Sequence, residues 1–161
     1  MDRLSRTEKR VAISSKTQDG NHILFWDFDN IRYYDVLKSL GKTQSYNGLG
    51  MIYIIDSEHG YNAFCLDKFF IEHAYNIKYF TRFADFSHTD IGYKNNSWCL
   101  RLSKTKKLID TLLPTDSHVN REQSNAHLLF FNKFFGISLQ TCGYFDSLKE
   151  VQIESYKQDV I

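Results

Sequence analysis

Two aspartates lie close together in an otherwise apolar run, Trp26-Asp27-Phe28-Asp29. Residues two positions apart in a β-strand share a face, so this spacing puts the carboxylates of Asp27 and Asp29 side by side. Adjacent carboxylates repel each other, and a divalent cation relieves the repulsion. Mg²⁺ or Mn²⁺, held by carboxylates together with substrate phosphates, fits this pattern. The competing interpretation is that Asp29, with Asn30, only caps the next helix.

A second polar group, residues 56–62, places Ser57, His59 and Gly60 at a turn between two predicted strands. Backbone N–H groups at a glycine-containing turn approach phosphate closely, and a hydroxyl or imidazole completes such a cradle. This pattern predicts a phosphate-binding turn in which Ser57 and His59 face the ligand. An ordinary hairpin connection accounts for the same residues.

Arg101 lies in the apolar strand predicted over residues 98–103. A guanidinium is unfavourable to bury without an anionic partner, so Arg101 is expected to face a carboxylate or a phosphate. It alternates with Leu100 and Leu102, and this alternation predicts that it points toward the cleft while the leucines point away.

Two further acids, Asp85 and Asp90, precede that strand. Each has a structural alternative to metal binding. The pattern Ser87-x-x-Asp90 matches a helix capping box, and Asp85 is placed to cap the same helix.

Strands and helices must position these residues, and the hydrophobic pattern predicts one domain over 21–161 after a polar extension over 1–20. The predicted strands are 22–29, 51–56, 61–65, 77–82 and 98–103; the predicted helices are 31–40, 67–75, 87–93 and 126–135; and 41–50 and 114–123 are predicted loops. Residues 126–135 fit a pair of strands equally well. After a turn at Asp146-Ser147 the last segment is either a strand or a helix. We expect an α/β (α+β) domain with a mixed central sheet and flanking helices.

The overall charge argues against a protein that coats nucleic acid by bulk charge. The 161 residues carry a formal net charge of +1, so any nucleic-acid site has to be local. The candidate basic patches are Arg3, Arg6, Lys9 and Arg10, and Lys104, Lys106 and Lys107. Hydrophobic residues make up 42% and aromatic residues 16%, which is enough apolar surface for a core.

The cysteines indicate a reducing compartment. Cys65, Cys99 and Cys142 are odd in number and widely spaced, so we expect buried small side chains rather than disulfides. No apolar run reaches the roughly 20 residues that a bilayer span requires. We therefore expect a cytoplasmic protein with no membrane partner.

The order of these pieces resembles the archaeo-eukaryotic primase superfamily over residues 22–107. The resemblance is carried by Asp27-x-Asp29 on a strand, a glycine-containing hairpin that begins with Ser57, a third acid, and the strand Leu100-Arg101-x-Ser103 followed by lysines. Plasmid and viral replication-associated members carry a similar Leu-Arg-x-Ser strand. The family implies an RRM-like primase catalytic core.

The resemblance also implies roles for individual residues. Asp27, Asp29 and a third acid, either Asp90 or Asp85, would hold two Mg²⁺ or Mn²⁺ ions. Ser57 and His59 would contact the phosphates of a nucleoside triphosphate, and Arg101 and Lys104 would support them.

The histidine has a second alignment. In many relatives it follows a glycine-aromatic pair, which places Asn62 at that position here. An amide does not relay a proton as an imidazole does. With Asn62 in that position the active site is altered and catalysis is in doubt.

Three functions follow from these patterns. The first is a template-directed nucleotidyltransferase that joins nucleotides on a DNA or RNA template, with a replication protein as a partner. The second is a catalytically inactive relative that binds nucleotides or nucleic acid. The third is a metal-dependent ribonuclease, because Phe-Asp-x-Asp-Asn after a strand also resembles the start of NYN-type domains, with Asp56 and Asp85 as further acids.

Overall fold

Strands and helices are both distributed along the chain in the computed structural model, which describes residues 9–141 and 156–160. The elements are β1 (Lys9–Ser14), β2 (His22–Asp29), α1 (Tyr33–Asn47), β3 (Ile52–Ser57), β4 (Gly60–Phe69), α2 (Ile71–Tyr79), α3 (Phe86–Lys94), β5 (Cys99–Leu102), β6 (Lys107–Leu112), α4 (Asn125–Phe135) and β7 (Tyr156–Val160). They form a four-stranded sheet in the order β2-β4-β3-β6 and a three-stranded sheet in the order β5-β1-β7. The expected α+β domain is confirmed.

The larger sheet is built around β4, which lies between β2 and β3 and is antiparallel to both. Strands β2 and β3 therefore run parallel to each other, joined by α1 and separated by β4. This is a split β-α-β arrangement. Every pairing between the named strands is antiparallel, so the expectation of a mixed sheet is wrong for the described residues.

One face of β2 is apolar at first and becomes polar toward the end of the strand. The ring of Phe25 lies against Phe131 of α4, which also stacks on Phe64 at 4.0 Å. Asp27 follows Phe25 on the same face of the strand but lies beyond this aromatic cluster. One face of the sheet therefore supplies both the buried core and, nearer the end of β2, a polar site.

Helix α1 is longer than predicted and replaces most of the predicted loop over 41–50. Its buried residues follow a helical period: Val36, Ser39, Leu40, Thr43 and Gln44. The last two and Ser39 are polar. Gln44 donates hydrogen bonds to the carbonyl groups of Gly50 and Leu112, both at 2.9 Å. Because these buried side chains are polar and hydrogen-bonded inside the protein, the pattern of hydrophobic residues alone does not show the helical period.

The helix predicted over 67–75 is present with shifted bounds, and the predicted strand over 77–82 is wrong. Strand β4 continues to Phe69 and is followed by α2, where a helix ending at residue 75 and then a strand were expected. One of the three buried residues of α2 is Lys78, which interrupts the apolar pattern. Its side chain donates to the carbonyl of Phe25 and lies 4.4 Å from the ring of Trp98.

The polar extension also contains regular structure. Strand β1 pairs with β5 and β7, and its Ile13 is fully buried. Strand β6 was likewise not predicted. The predicted strands 22–29 and 51–56, the hairpin that follows, the short helix near 87–93, the strand near 98–103, and helix 126–135 are confirmed.

The last segment, Tyr156–Val160, is a strand, whereas the predicted turn at Asp146-Ser147 lies outside the described residues. Cys65 is buried as expected, Cys99 is exposed in contrast to the expectation, and Cys142 lies outside the described residues. Within the described part of the chain, none of the helices has the length and apolar character needed to cross a bilayer.

Candidate functional site

The end of β2 forms one wall of a cleft with a volume of about 900 Å³. Asp27 and Asp29 both line this cleft. They pair with Asn62 and Gly60 of β4, respectively, so the strand register holds both side chains at the same end of the sheet. The predicted placement of both carboxylates in one cleft is confirmed, whereas their role in metal binding stays a prediction.

Asp85 brings a third carboxylate close to those of Asp27 and Asp29, although it is not itself among the cleft-lining residues. Its backbone N–H donates to the carbonyl of Asp27 at 2.8 Å, which fixes the loop before α3 against the edge strand β2. One carboxylate oxygen from each of Asp27, Asp29 and Asp85 lies within 4.8 Å of the other two. We call these three residues the acidic cluster.

Asp90, the other candidate third acid, is not part of the cluster. Its carboxylate lies 3.0 Å from the ammonium of Lys94, one turn further along α3. Helix α3 is capped by Asp85, which accepts from the N–H of Ser87 at 3.0 Å, and not by a capping box of Ser87 and Asp90. Asp85 thus caps the helix and also lies close to the other two acids.

The electrostatics of the acidic cluster favour a cation. Burial, followed by the charges of Asp29 and Asp85, raises the pKa of Asp27 to about 6, against the opposing effects of Lys106 and Asn62. The protein's own donors therefore do not compensate the negative charge of the cluster. An all-oxygen donor set with excess negative charge suits Mg²⁺ or Mn²⁺, so the residues present fit a divalent cation.

The hairpin between β3 and β4 is fastened to the same end of the sheet. A side chain at Gly60 would place its Cβ 1.9 Å from the carbonyl oxygen of Phe28, so only glycine lets the two strands approach this closely. The carbonyl of His59 accepts from the N–H of Asn30 at 3.0 Å. Ser57 and His59 both line the cleft, as predicted.

Asn30 does not cap the following helix. It has a positive φ of 56°, and the N-terminal cap of α1 is Arg32, which makes no side-chain capping bond. Asn30 instead connects β2 to the hairpin turn through its backbone. The capping interpretation of Asp29 with Asn30 is therefore wrong, and Asp29 remains exposed at the cleft.

The cleft lining also contains positive charge, together with the further acids Asp56 and Glu58. Arg101 is exposed on β5 between the buried residues Leu100 and Leu102, so the predicted alternation is confirmed. Lys106 also lines the cleft, and its ammonium donates to the backbone carbonyl of Arg101. Lys104 is exposed but is not among the cleft-lining residues, so the structure does not bring this predicted residue to the site.

The side chain of Asn62 connects Asp27 of the acidic cluster to Lys106. Its amide nitrogen donates to Asp27 Oδ1 at 3.0 Å, and its amide oxygen accepts from the ammonium of Lys106 at 3.1 Å. The side chain thus places a positive charge one residue away from the acidic cluster. Lys106 was visible in the sequence only as one of several neighbouring lysines.

His88 is a cleft residue that sequence reasoning missed. Its Nε2 lies 3.3 Å from the carbonyl oxygen of Cys99, and its Nδ1 has no hydrogen-bond partner among the described residues. Burial lowers the pKa of His88 to about 4, so the ring is neutral near pH 7. No spacing to another ligand residue marked it in the sequence.

Comparisons with protein families, with curated proteins and with solved structures found no match to this chain.

Proposed function

We propose that this protein is a metal-dependent nucleotidyltransferase of the primase-polymerase type. The observation that carries the proposal is the convergence of Asp85 with Asp27 and Asp29, two acids that line the same cleft as Arg101 and Lys106. The split β-α-β unit that carries the acids supports it as well, because the proposed relatives share an RRM-like sheet.

The cationic side chains of the cleft suit the phosphates of a nucleoside triphosphate. Arg101 offers a fork of donors that matches phosphate geometry, and Lys106 adds a second cation. Ser57 and His59 line the same cleft and offer a hydroxyl group and an imidazole ring to the ligand. A polyphosphate is repelled by the acidic cluster alone, so nucleotide binding is expected to require the metal.

The protein's side chains and the bound cations have distinct roles in this proposal. Divalent cations held by the acidic cluster would neutralise phosphate charge and assist the attack of a hydroxyl group. Asp27 and Asp29 orient this charge from the end of β2, and Asp85 completes the donor set from the start of α3. Arg101 and Lys106 hold the phosphates that lie away from the acids.

The third acid provides a sharp test, because two candidates exist on the same helix segment. Asp85→Asn keeps the capping acceptor of α3 while removing the charge, and Asp90→Asn removes a charge that faces Lys94. We expect Mn²⁺ affinity, measured by titration with paramagnetic resonance detection, to fall at least about tenfold in Asp85→Asn and to stay unchanged in Asp90→Asn. Equal affinities in the two variants would contradict the proposed site.

Activity is tested with nucleoside triphosphates, Mg²⁺ or Mn²⁺, and a single-stranded DNA template. The proposal expects extended products whose formation is abolished by Asp85→Asn but not by Asp90→Asn. Cleavage of an RNA substrate with the same dependence on the acidic cluster would instead support the ribonuclease alternative, which shares the need for clustered acids.

A second candidate, a relative that binds nucleotide without catalysis, is favoured by one observation. Both polar atoms of the Asn62 side chain are engaged, by Asp27 and Lys106. In the alignment that places Asn62 at the family's histidine position, this side chain is a structural link and carries no proton. Metal-dependent nucleotide binding without any product would support this candidate over the first.

A further inference from the structure

A strip of exposed aromatic side chains leads to the acidic cluster. Tyr79 is 50% exposed, Phe80 78%, Phe83 41% and Phe86 57%. The first two end α2, and the last begins α3 directly after Asp85. We call these four residues the aromatic strip. So much exposed aromatic surface in one short segment is unusual and marks a binding surface.

Three rings of the strip, those of Tyr79, Phe80 and Phe86, are in contact with one another through Tyr79. The ring centroids of Tyr79 and Phe80 are 5.1 Å apart, and those of Tyr79 and Phe86 are 5.8 Å apart. The guanidinium of Arg82 lies 4.8 Å from the ring centroid of Phe83. Residues 79–84 contain this one cation and no acid. The strip therefore combines flat apolar faces with one positive charge, and Asp85 is the one acid within its span.

The backbone keeps Phe83 in an unfavourable conformation. Its φ is +69°, a region that bulky residues rarely occupy. Hydrogen bonds on both sides hold it there: the N–H of Ala84 donates to Thr81, and Ser39 donates to the carbonyl of Arg82. Burial does not explain this strain because the ring is partly exposed, so an external contact is the better reason.

The strip continues into a groove between α1 and α2, with a volume of about 530 Å³. Phe80 lines this groove together with Tyr46, which is 91% exposed. Lys42 and the amide side chain of Asn76 are also among its lining residues. The groove thus adds one further ring, that of Tyr46, together with another cation and a hydrogen-bonding group.

We propose that the aromatic strip and this groove bind single-stranded nucleic acid. Exposed rings stack on bases irrespective of sequence, and interspersed cations attract the phosphates. The positive charge of Arg82 and Lys42 favours a polyanion over an apolar protein segment. The strip ends beside Asp85, so a strand bound along it is directed toward the cleft. Its use as a template rests on the proposed function, but strand binding itself is measured independently of catalysis.

The test compares ring removal in the strip with removal of equally exposed side chains elsewhere. Phe80→Ser and Phe83→Asn remove two rings, and asparagine tolerates the positive φ at position 83. The matched control is Leu129→Ser on α4, which is 56% exposed and lines neither the cleft nor the groove. Arg82→Gln is matched by Lys133→Gln, also exposed on α4.

Binding is measured by fluorescence anisotropy with labelled oligothymidylate and oligouridylate of about 12 nucleotides, without metal or nucleotide. We expect about a tenfold loss of affinity for each ring removed, and a smaller dependence of affinity on salt in Arg82→Gln. The two probes distinguish DNA from RNA as the source of the strand. The α4 variants should match the unaltered protein.

The outcomes separate this inference from the proposed function. Equal affinities in strip variants and controls, or no binding by the unaltered protein, would overturn the inference even if the acidic cluster binds Mn²⁺. A strip-dependent loss of oligonucleotide binding would support it even if no metal binds. Docking of a protein on the strip instead would leave oligonucleotide binding unaffected by the ring substitutions, which is the first of the overturning results.

Discussion

Asp27 and Asp67 are both shielded carboxylates on neighbouring strands of the larger sheet, but their surroundings differ. Asp67, on β4, is fully buried and accepts from the N–H of Gly50 at 2.9 Å and from the amide of Gln123 at 3.0 Å. The guanidinium of Arg121 lies 3.7 Å away. The protein itself satisfies this carboxylate.

Asp27 is surrounded differently. Burial raises the pKa of both acids, but the neighbours of Asp67 lower its pKa whereas Asp29 and Asp85 raise that of Asp27. A carboxylate that is compensated from within stabilises the fold, and one whose compensation has to come from outside indicates a binding site. The two residues therefore form a matched pair in which structural and functional roles can be separated.

The largest expected effect is on the functional member of the pair. Asp27→Asn keeps an acceptor for the amide of Asn62 but removes one charge from the acidic cluster. We expect nucleotide incorporation to fall by at least about a hundredfold, with no loss of thermal stability. Activity assays and thermal melts of the same preparation check this; a variant that is active, or that fails to fold, would break the contrast with Asp67.

The structural member should behave in the opposite way. Asp67→Asn turns an amide N–H₂ toward donors that need an acceptor, so we expect the free energy of unfolding to fall by about 2 to 3 kcal/mol. Denaturant unfolding measures the loss. Mn²⁺ affinity of the folded variant should equal that of the unaltered protein, and a lower affinity would mean that Asp67 also supports the site.

Arg101 extends the test to a cationic residue of the cleft. Arg101→Gln removes a charged fork that faces the cleft, so we expect affinity for a nucleoside triphosphate with Mg²⁺ to fall about ten- to a hundredfold. Lys104→Gln is the matched control because Lys104 is exposed outside the cleft lining. Calorimetric titration compares the two. Equal losses would indicate that the net charge of this region, and not the position of Arg101, governs binding.

The sequence was informative where local periodicity carries the information. A period of two placed Asp27 and Asp29 together, and the same rule exposed Arg101 between two leucines. The hairpin at Ser57 and Gly60 was recognisable because turn residues separate two apolar runs. These features depend on neighbours within a few residues.

Other features depended on tertiary contacts that no local pattern contains. The choice between Asp85 and Asp90 is decided by a backbone bond from Asp85 to Asp27, across almost 60 residues of chain. Lys106 rather than Lys104 reaches the cleft, where it contacts Asn62. Buried polar residues in α1 and α2, such as Gln44 and Lys78, concealed the helical period in the same way.

The smallest expected effect is on pH dependence. The pKa of Asp67 is raised by burial as well, so the effect of Asp27 is isolated by comparing the unaltered protein with Asp27→Asn. The folded-state pKa of Asp27 is raised to about 6, above its ordinary value of 3.8, so the metal-free fold loses stability as pH rises from about 4 to about 6. Asp27→Asn should remove this loss and should become relatively more stable across the same window. Metal binding needs the ionised carboxylate, so Mn²⁺ affinity should rise about tenfold between about pH 5 and about pH 7 and then level off. Melting curves in a metal chelator and Mn²⁺ titrations over this range measure both. If the unaltered protein and Asp27→Asn share the same stability profile, Asp27 does not carry the unfavourable charge expected in the acidic cluster.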